Sequence, residues 1–69
     1  MTYTTGELAK VCGVTVRTVQ YYVKKSLLHP ISKEHETTRR FDEESKVRME
    51  IILILKEWGL TLKQISQLL

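Results

Sequence analysis

The sequence has few of the residues on which several classes of small protein depend. One cysteine, Cys12, stands among 69 residues, which excludes a disulfide framework and a thiolate metal site of the usual kind. The longest apolar run, Ile51 to Leu55, is far too short to cross a bilayer. No repeat, low-complexity tract or Gly/Ser-rich linker divides the chain. Apolar residues make up 42% of the chain and charged residues 28%, so we expect one small globular domain with a modest core.

Motifs for catalysis and for cofactors are also missing. There is no Gly-rich phosphate loop, no paired carboxylate constellation and no Ser/His/Asp set, so we expect neither an enzyme nor a bound cofactor. Cys12 is best explained as a small buried residue, and His29 and His35 as surface histidines without ligand partners. The start of the chain lacks the basic and apolar regions of a signal peptide, which predicts a cytoplasmic protein without a membrane partner.

Acidic residues are scarce in the N-terminal half. From Lys10 to Arg40 the only acids are Glu34 and Glu36, against the bases Lys10, Arg17, Lys24, Lys25, Lys33, Arg39 and Arg40. The rest of the chain is close to neutral, although the net charge is +3. This asymmetry predicts that the N-terminal half faces a polyanion, while a merely solvated basic face is the alternative.

Helix-start and helix-stop signals predict two short helices separated by a tight turn, over residues 4–26. Thr4 and Glu7 form a capping box, and Gly13 suits the left-handed position after a helix. Thr15 is then a natural N-cap for the second helix. In that helix the spacing of Val16, Val19 and Val23 predicts an inner face. The opposite side carries Arg17, Tyr21, Lys24 and Lys25, with Gln20 and Tyr22 at the boundary.

In the second half of the chain, the sequence predicts a non-helical segment followed by two more helices. Pro30 ends helical structure, and residues 29–41 suit a short β-hairpin or a loop. Asp42 then caps a third helix that Gly59 ends, and Thr61 begins a fourth, so helices 3 and 4 span residues 42–69. Because apolar residues lie on almost every face of the third helix, including Trp58, we expect it to be the centre of the core.

Several motifs occur in an order that identifies a family. The segments "YTTGELAK", "CGVTVRTVQYY", "LLHP", "RRF" and "EWGLTLKQI" strongly resemble the N-terminal DNA-binding domain of MerR family bacterial transcription regulators. The resemblance covers nearly the whole chain. It implies a mainly α, winged helix-turn-helix fold of four helices with a wing between helices 2 and 3. It also implies sequence-specific binding of double-stranded DNA, with the second helix in the major groove.

The resemblance also implies roles for individual residues. Arg17 is expected to contact a base edge or a phosphate, and Tyr21 the DNA backbone, while Tyr22 serves either DNA contact or core packing. The threonines at the helix start could add hydroxyl contacts beside their capping role, and Lys24 and Lys25 suit either phosphate contact or solvation. The wing arginines are expected on flanking backbone or minor groove. The expected DNA-binding set is Thr15, Arg17, Thr18, Tyr21, Tyr22, Lys24, Arg39 and Arg40.

The sequence departs from the family pattern in the wing and at the end of the second helix. Thr37 and Thr38 stand where the wing commonly has glycine with an aromatic, which predicts a differently shaped wing tip. Ser26 stands where glycine often ends the second helix, so the chain there accepts either strain or another exit.

The resemblance implies partners beyond DNA. The family dimerises through a long helix after the fourth and acts on RNA polymerase indirectly, so we expect a homodimer and a domain cut from a longer regulator. An excisionase-like DNA-bending protein is one alternative. The other is a protein-interaction module that uses the apolar third and fourth helices. Burial of Ile52, Leu53, Leu55 and Trp58 would speak against that module, whereas a partly exposed stripe would mark the docking place of a dimerisation helix.

Overall fold

The computed structural model describes residues 1–32 and 39–69, which form four helices and two short strands. In chain order these are β1 (Thr2–Thr4), α1 (Thr5–Cys12), α2 (Val16–Lys24), β2 (Arg40–Asp42), α3 (Glu43–Glu57) and α4 (Leu62–Leu68). The mainly helical class is confirmed.

The turn between α1 and α2 forms as the sequence predicts. The Thr4 hydroxyl accepts from the Glu7 amide at 3.2 Å, and the Glu7 carboxylate accepts from the Thr4 amide at 2.8 Å. Gly13 ends α1 with φ 69°, a conformation that costs most other residues energy. Two residues later Thr15 caps α2 by accepting from the Thr18 amide at 3.1 Å. The two helices are therefore set against each other by local hydrogen bonds.

The end of α2 differs from the predicted one. The helix stops at Lys24 rather than near residue 26, and Ser26 adopts φ 61°, in the left-handed region. Of the two predicted outcomes at this position, the chain accepts the strained backbone. Arg48 of α3 then donates from Nε to the Leu27 carbonyl at 2.6 Å, which joins α3 to the segment that follows α2.

The sheet contains one strand that the sequence did not predict. Strand β2 pairs antiparallel with β1 at the start of the chain, with Tyr3 opposite Phe41, and β1 was not predicted. The base of the predicted wing is closed by the Ile31 amide, which donates to the Arg40 carbonyl at 2.8 Å. The wing-tip prediction for Thr37 and Thr38, and the surface assignment of His35, lie outside the described residues.

The core lies between the sheet and the inner faces of the helices. Its buried side chains come from every helix and both strands: Tyr3, Leu8, Ala9, Val19, Tyr22, Leu27, Leu28, Phe41, Met49, Ile52 and Ile65. Cys12 is half-buried beside this core, and its burial raises the pKa of the thiol. Val16, predicted on the inner face of α2, is exposed because it occupies the first turn of that helix.

Helix α3 is not the fully buried element that the sequence predicts. Asp42 caps it by accepting from the Ser45 amide at 3.0 Å, as expected. Only Met49 and Ile52 among its apolar side chains are fully buried, and Leu53 and Leu55 are half-buried. The remaining three, together with Trp58 at the C-cap of the helix, form an exposed strip, the α3 stripe, which consists of Val47, Ile51, Ile54 and Trp58. The core is too small to cover every face of a helix of this length.

The Glu7 and Glu43 carboxylates hold the N-terminal elements in place, and we therefore expect the fold to lose stability in acid. The Tyr3 hydroxyl donates to Glu43 at 2.7 Å and lowers the pKa of that carboxyl, and the Thr4 amide does the same for Glu7. Both folded pKa values lie below the ordinary 4.5, so the charged forms stabilise the fold fully above that pH. This stability is lost as the pH falls below 4.5 through the lowered folded values.

Thermal unfolding between pH 7 and pH 3 measures the effect. The double variant Glu7→Gln/Glu43→Gln keeps amide groups at both positions but cannot titrate, so its melting temperature should depend less on pH than that of the wild type. Parallel pH profiles for the two proteins would contradict the assignment.

Candidate nucleic-acid interface

Helix α2 has one face in the core and the other in solvent. Val19 and Tyr22 are 0% and 6% exposed, and they anchor the inner face. The exposed side chains that share the other face, the α2 outer face, are Arg17, Gln20, Tyr21 and Lys24. Their spacing of three and four residues places them on one side of a helix. No acid occurs between Thr15 and Lys25, so nothing on this helix neutralises the two cations.

The threonines at the start of α2 are engaged within the protein. Thr15 caps the helix, and its hydroxyl lies 3.0 Å from that of Thr18, so each is a hydrogen-bond partner of the other. The capping role of Thr15 is therefore fulfilled by this geometry. A hydroxyl retains capacity for a further bond, so DNA contact by either threonine stays a prediction.

The two tyrosines have different environments. The ring of Tyr22 packs in the core, and burial raises the pKa of its hydroxyl. Tyr21 is exposed, its ring centroid is 5.9 Å from that of Tyr22, and the Lys25 ammonium lies 5.6 Å from the centroid of its ring. Core packing, one of the two alternatives left open for Tyr22, is observed, and a DNA contact by its hydroxyl stays a prediction. Tyr21 keeps its place on the α2 outer face.

A groove beside α2 brings together cations that lie far apart in sequence. Its walls are Thr4, Thr5 and Gly6 at the start of α1, Gln20, Val23 and Lys24 of α2, and Arg39 before β2. We call it the Arg39 groove. The structure thus places Arg39 next to α2, whereas Arg40 lies in β2 opposite Thr4. The charge of Arg40 helps to lower the pKa of Glu7, so Arg40 also interacts electrostatically with an acid of its own chain.

A second groove lies where α2 meets α4. Its lining residues are Tyr21, Lys25, Leu27, Leu62, Lys63, Ser66 and Gln67. Lys63 of α4 therefore shares this groove with Lys25, which follows α2. Lys63 was not among the residues expected to bind DNA, and Gln20 was placed only at the boundary between the two faces of α2. Thr61, which the sequence predicts to begin the fourth helix, already placed Lys63 in the first turn of α4, but only the packing of α4 beside α2 reveals the shared groove.

Other kinds of site are not seen in the described part of the chain. Within residues 1–32 and 39–69, no group of three or more His, Cys, Asp or Glu side chains is arranged to hold a metal ion. Over the same residues, no helix combines the length and apolar character needed to cross a membrane.

Comparison with known proteins identifies the family. The sequence model of one protein family, described as "MerR HTH family regulatory protein", matches residues 3–69. The chain belongs to the MerR family. Among MerR relatives, the HTH-type transcriptional activator TipA of Streptomyces coelicolor is 36% identical over 69 residues, which are 100% of this chain and 27% of TipA. The mercuric resistance operon regulatory protein of Shigella flexneri is 35% identical over 66 residues, covering 96% of this chain and 46% of that protein.

A solved MerR structure shares the fold. The crystal structure of HiNmlR, a MerR family regulator lacking the sensor domain, bound to promoter DNA, superposes with a TM-score of 0.86 at 31% identity. The match covers 99% of this chain and 52% of that one. This chain thus spans between about a quarter and about half of these MerR proteins, and the shared part is a helix-turn-helix domain.

Proposed function

We propose that this chain binds double-stranded DNA sequence-specifically, as the DNA-binding domain of a bacterial transcription regulator. The observation that carries the proposal is the α2 outer face, where Arg17, Gln20, Tyr21 and Lys24 are exposed with no acid among them. Burial of Val19 and Tyr22 holds this face outward. The likeness to a MerR regulator bound to promoter DNA supports the same proposal.

In this proposal α2 lies in the major groove and each side chain has a distinct role. Arg17 donates two parallel hydrogen bonds to a guanine edge or a phosphate. Tyr21 donates its hydroxyl to the DNA backbone, and Lys24 neutralises a phosphate. Arg39 and Arg40 contact flanking backbone or minor groove, and Thr15 and Thr18 add hydroxyl contacts.

The α3 stripe supports a homodimer as part of the proposal. Trp58 is 73% exposed, and Val47, Ile51 and Ile54 continue its apolar strip along α3. The sequence predicts either burial of the apolar residues of α3 or a partly exposed stripe, and a partly exposed stripe suits the docking of a dimerisation helix. Family membership favours this regulator over the excisionase-like protein and the interaction module. A regulator of this kind acts in the bacterial cytoplasm and influences RNA polymerase through the promoter.

A salt titration tests the proposal. Binding to random-sequence duplex DNA should weaken steeply with salt, because each neutralised phosphate releases roughly 0.9 counterion. Arg17→Ala should weaken binding by about 1–3 kcal/mol at low salt. The control is Lys46→Ala, because the Lys46 ammonium is already matched by Glu43 at 3.5 Å. Fluorescence anisotropy measures both variants and the wild type.

The outcomes separate the parts of the proposal. A flat plot of log K against log salt, or equal losses for Arg17→Ala and Lys46→Ala, would count against the α2 outer face as a DNA surface. The same titration with a dimerising helix fused after Leu69 should raise affinity for inverted repeats over single sites, because two linked half-sites bind with a high effective concentration. No preference for inverted repeats would argue against the homodimer alone.

A further inference from the structure

Gln20 has a planar amide at the centre of the α2 outer face. The side chain is exposed, and it lines the Arg39 groove together with Lys24 and Arg39. Its amide forms no side-chain hydrogen bond with residues 1–32 or 39–69. Its position beside two cations keeps it close to whatever polyanion they bind.

The neighbours of Gln20 on α2 have different chemistry. Arg17 and Lys24, one helical turn away on either side, carry only donors and a positive charge. Tyr21 carries one hydroxyl, with Lys25 placed over its ring. The hydroxyls of the helix-start threonines are bonded to each other. Gln20 alone among the exposed residues of this helix presents a donor and an acceptor side by side in one plane.

We infer that Gln20 reads an adenine in the major groove. Its amide oxygen accepts from the adenine N6 amino group, while its amide nitrogen donates to N7, the pairing that distinguishes adenine from the other bases there. Lys24 neutralises a phosphate, which carries no sequence information, and Arg17 contacts a phosphate or the guanine of a different base pair, so the adenine preference comes from Gln20. This inference rests on the proposed DNA-binding function.

Selection from a duplex pool with a randomised centre tests the inference. The wild-type chain should enrich adenine at one position of the bound site, by about ten- to a hundred-fold over the other bases. Gln20→Ala should even out the preference at that position alone. Gln20→Arg should move it to guanine, because an arginine fork matches guanine O6 and N7. Since the residue is exposed, melting temperatures should be unchanged.

Lys24→Ala is the matched control on the same helix. It removes a charge one turn from Gln20, so it should lower affinity for all sequences uniformly and leave every base preference intact. If Gln20→Ala selects the same bases as the wild type, or if the wild type enriches no base, the inference is overturned while DNA binding stands. If the wild type binds no DNA in the low-salt titration, the proposed function fails and the inference falls with it.

Discussion

Replacing Phe41 with alanine is expected to leave a large fraction of the chain unfolded at room temperature. The Phe41 side chain is 0% exposed, stands opposite Tyr3 in the sheet and belongs to the core shared by the sheet and the helices. Removing a buried phenylalanine costs about 3–5 kcal/mol. A chain of 69 residues has only roughly 3–10 kcal/mol of stability, at about 0.05–0.15 kcal/mol per residue. Urea unfolding followed by circular dichroism measures the loss.

Trp58→Ala and Phe41→Leu are the controls for this prediction. Trp58 is also aromatic but lies exposed on the α3 stripe, so its truncation should change the free energy of unfolding by less than about 1 kcal/mol. Phe41→Leu keeps most of the buried volume and should cost less than alanine at the same site. Equal losses for Phe41→Ala and Trp58→Ala would mean that the core is centred elsewhere.

Features that depend on local hydrogen bonds were predictable from the sequence. The capping box at Thr4, the caps at Thr15, Asp42 and Thr61, and the left-handed Gly13 all occur where the sequence places them. Each involves residues within a few positions of one another, so the chain needs no tertiary contact to express them. The order of four helices followed from these signals.

Features that depend on distant contacts were not predictable. Strand β1 has three residues and exists because β2, which follows a long excursion, pairs with it, so no local period reveals it. The apolar residues of α3 lie on almost every face of that helix. A sequence pattern with no polar face cannot indicate which face packs against the core. Only the packing shows that Met49 and Ile52 lie inside and that Ile51 and Trp58 lie outside.

The candidate interface divides in the same way. The α2 outer face was largely predictable because helical periodicity alone separates Arg17 and Tyr21 from Val19. Gln20 and Tyr22 were ambiguous by angle, and the structure exposes the first and buries the second. The grooves at Arg39 and Lys63 are formed by elements that meet only in the folded domain. The spacing of residues in the sequence therefore could not predict that Arg39 and Lys63 lie beside α2.

Removing three cations together should have the largest effect on DNA affinity. Arg17 and Lys24 lie on the α2 outer face, and Arg39 shares a groove with Lys24. In the triple variant Arg17→Ala/Lys24→Ala/Arg39→Ala, each lost phosphate contact should reduce the slope of log K against log salt by about one, and the whole slope by about three. Affinity for random duplex DNA at low salt should fall by roughly a thousand-fold or more, from about 1.5 kcal/mol or more for each hydrogen bond to a charged group.

A charge-conserving variant distinguishes charge from geometry. Arg17→Lys/Lys24→Arg/Arg39→Lys keeps all three positive charges, so its salt slope should match that of the wild type. Its affinity for selected sites should still fall, because a lysine at position 17 lacks the planar fork of arginine. If this variant loses its salt slope as the alanine variant does, the loss reflects altered folding. If the alanine variant keeps the wild-type slope, phosphates are bound elsewhere on the domain, and the α2 outer face is not the DNA surface.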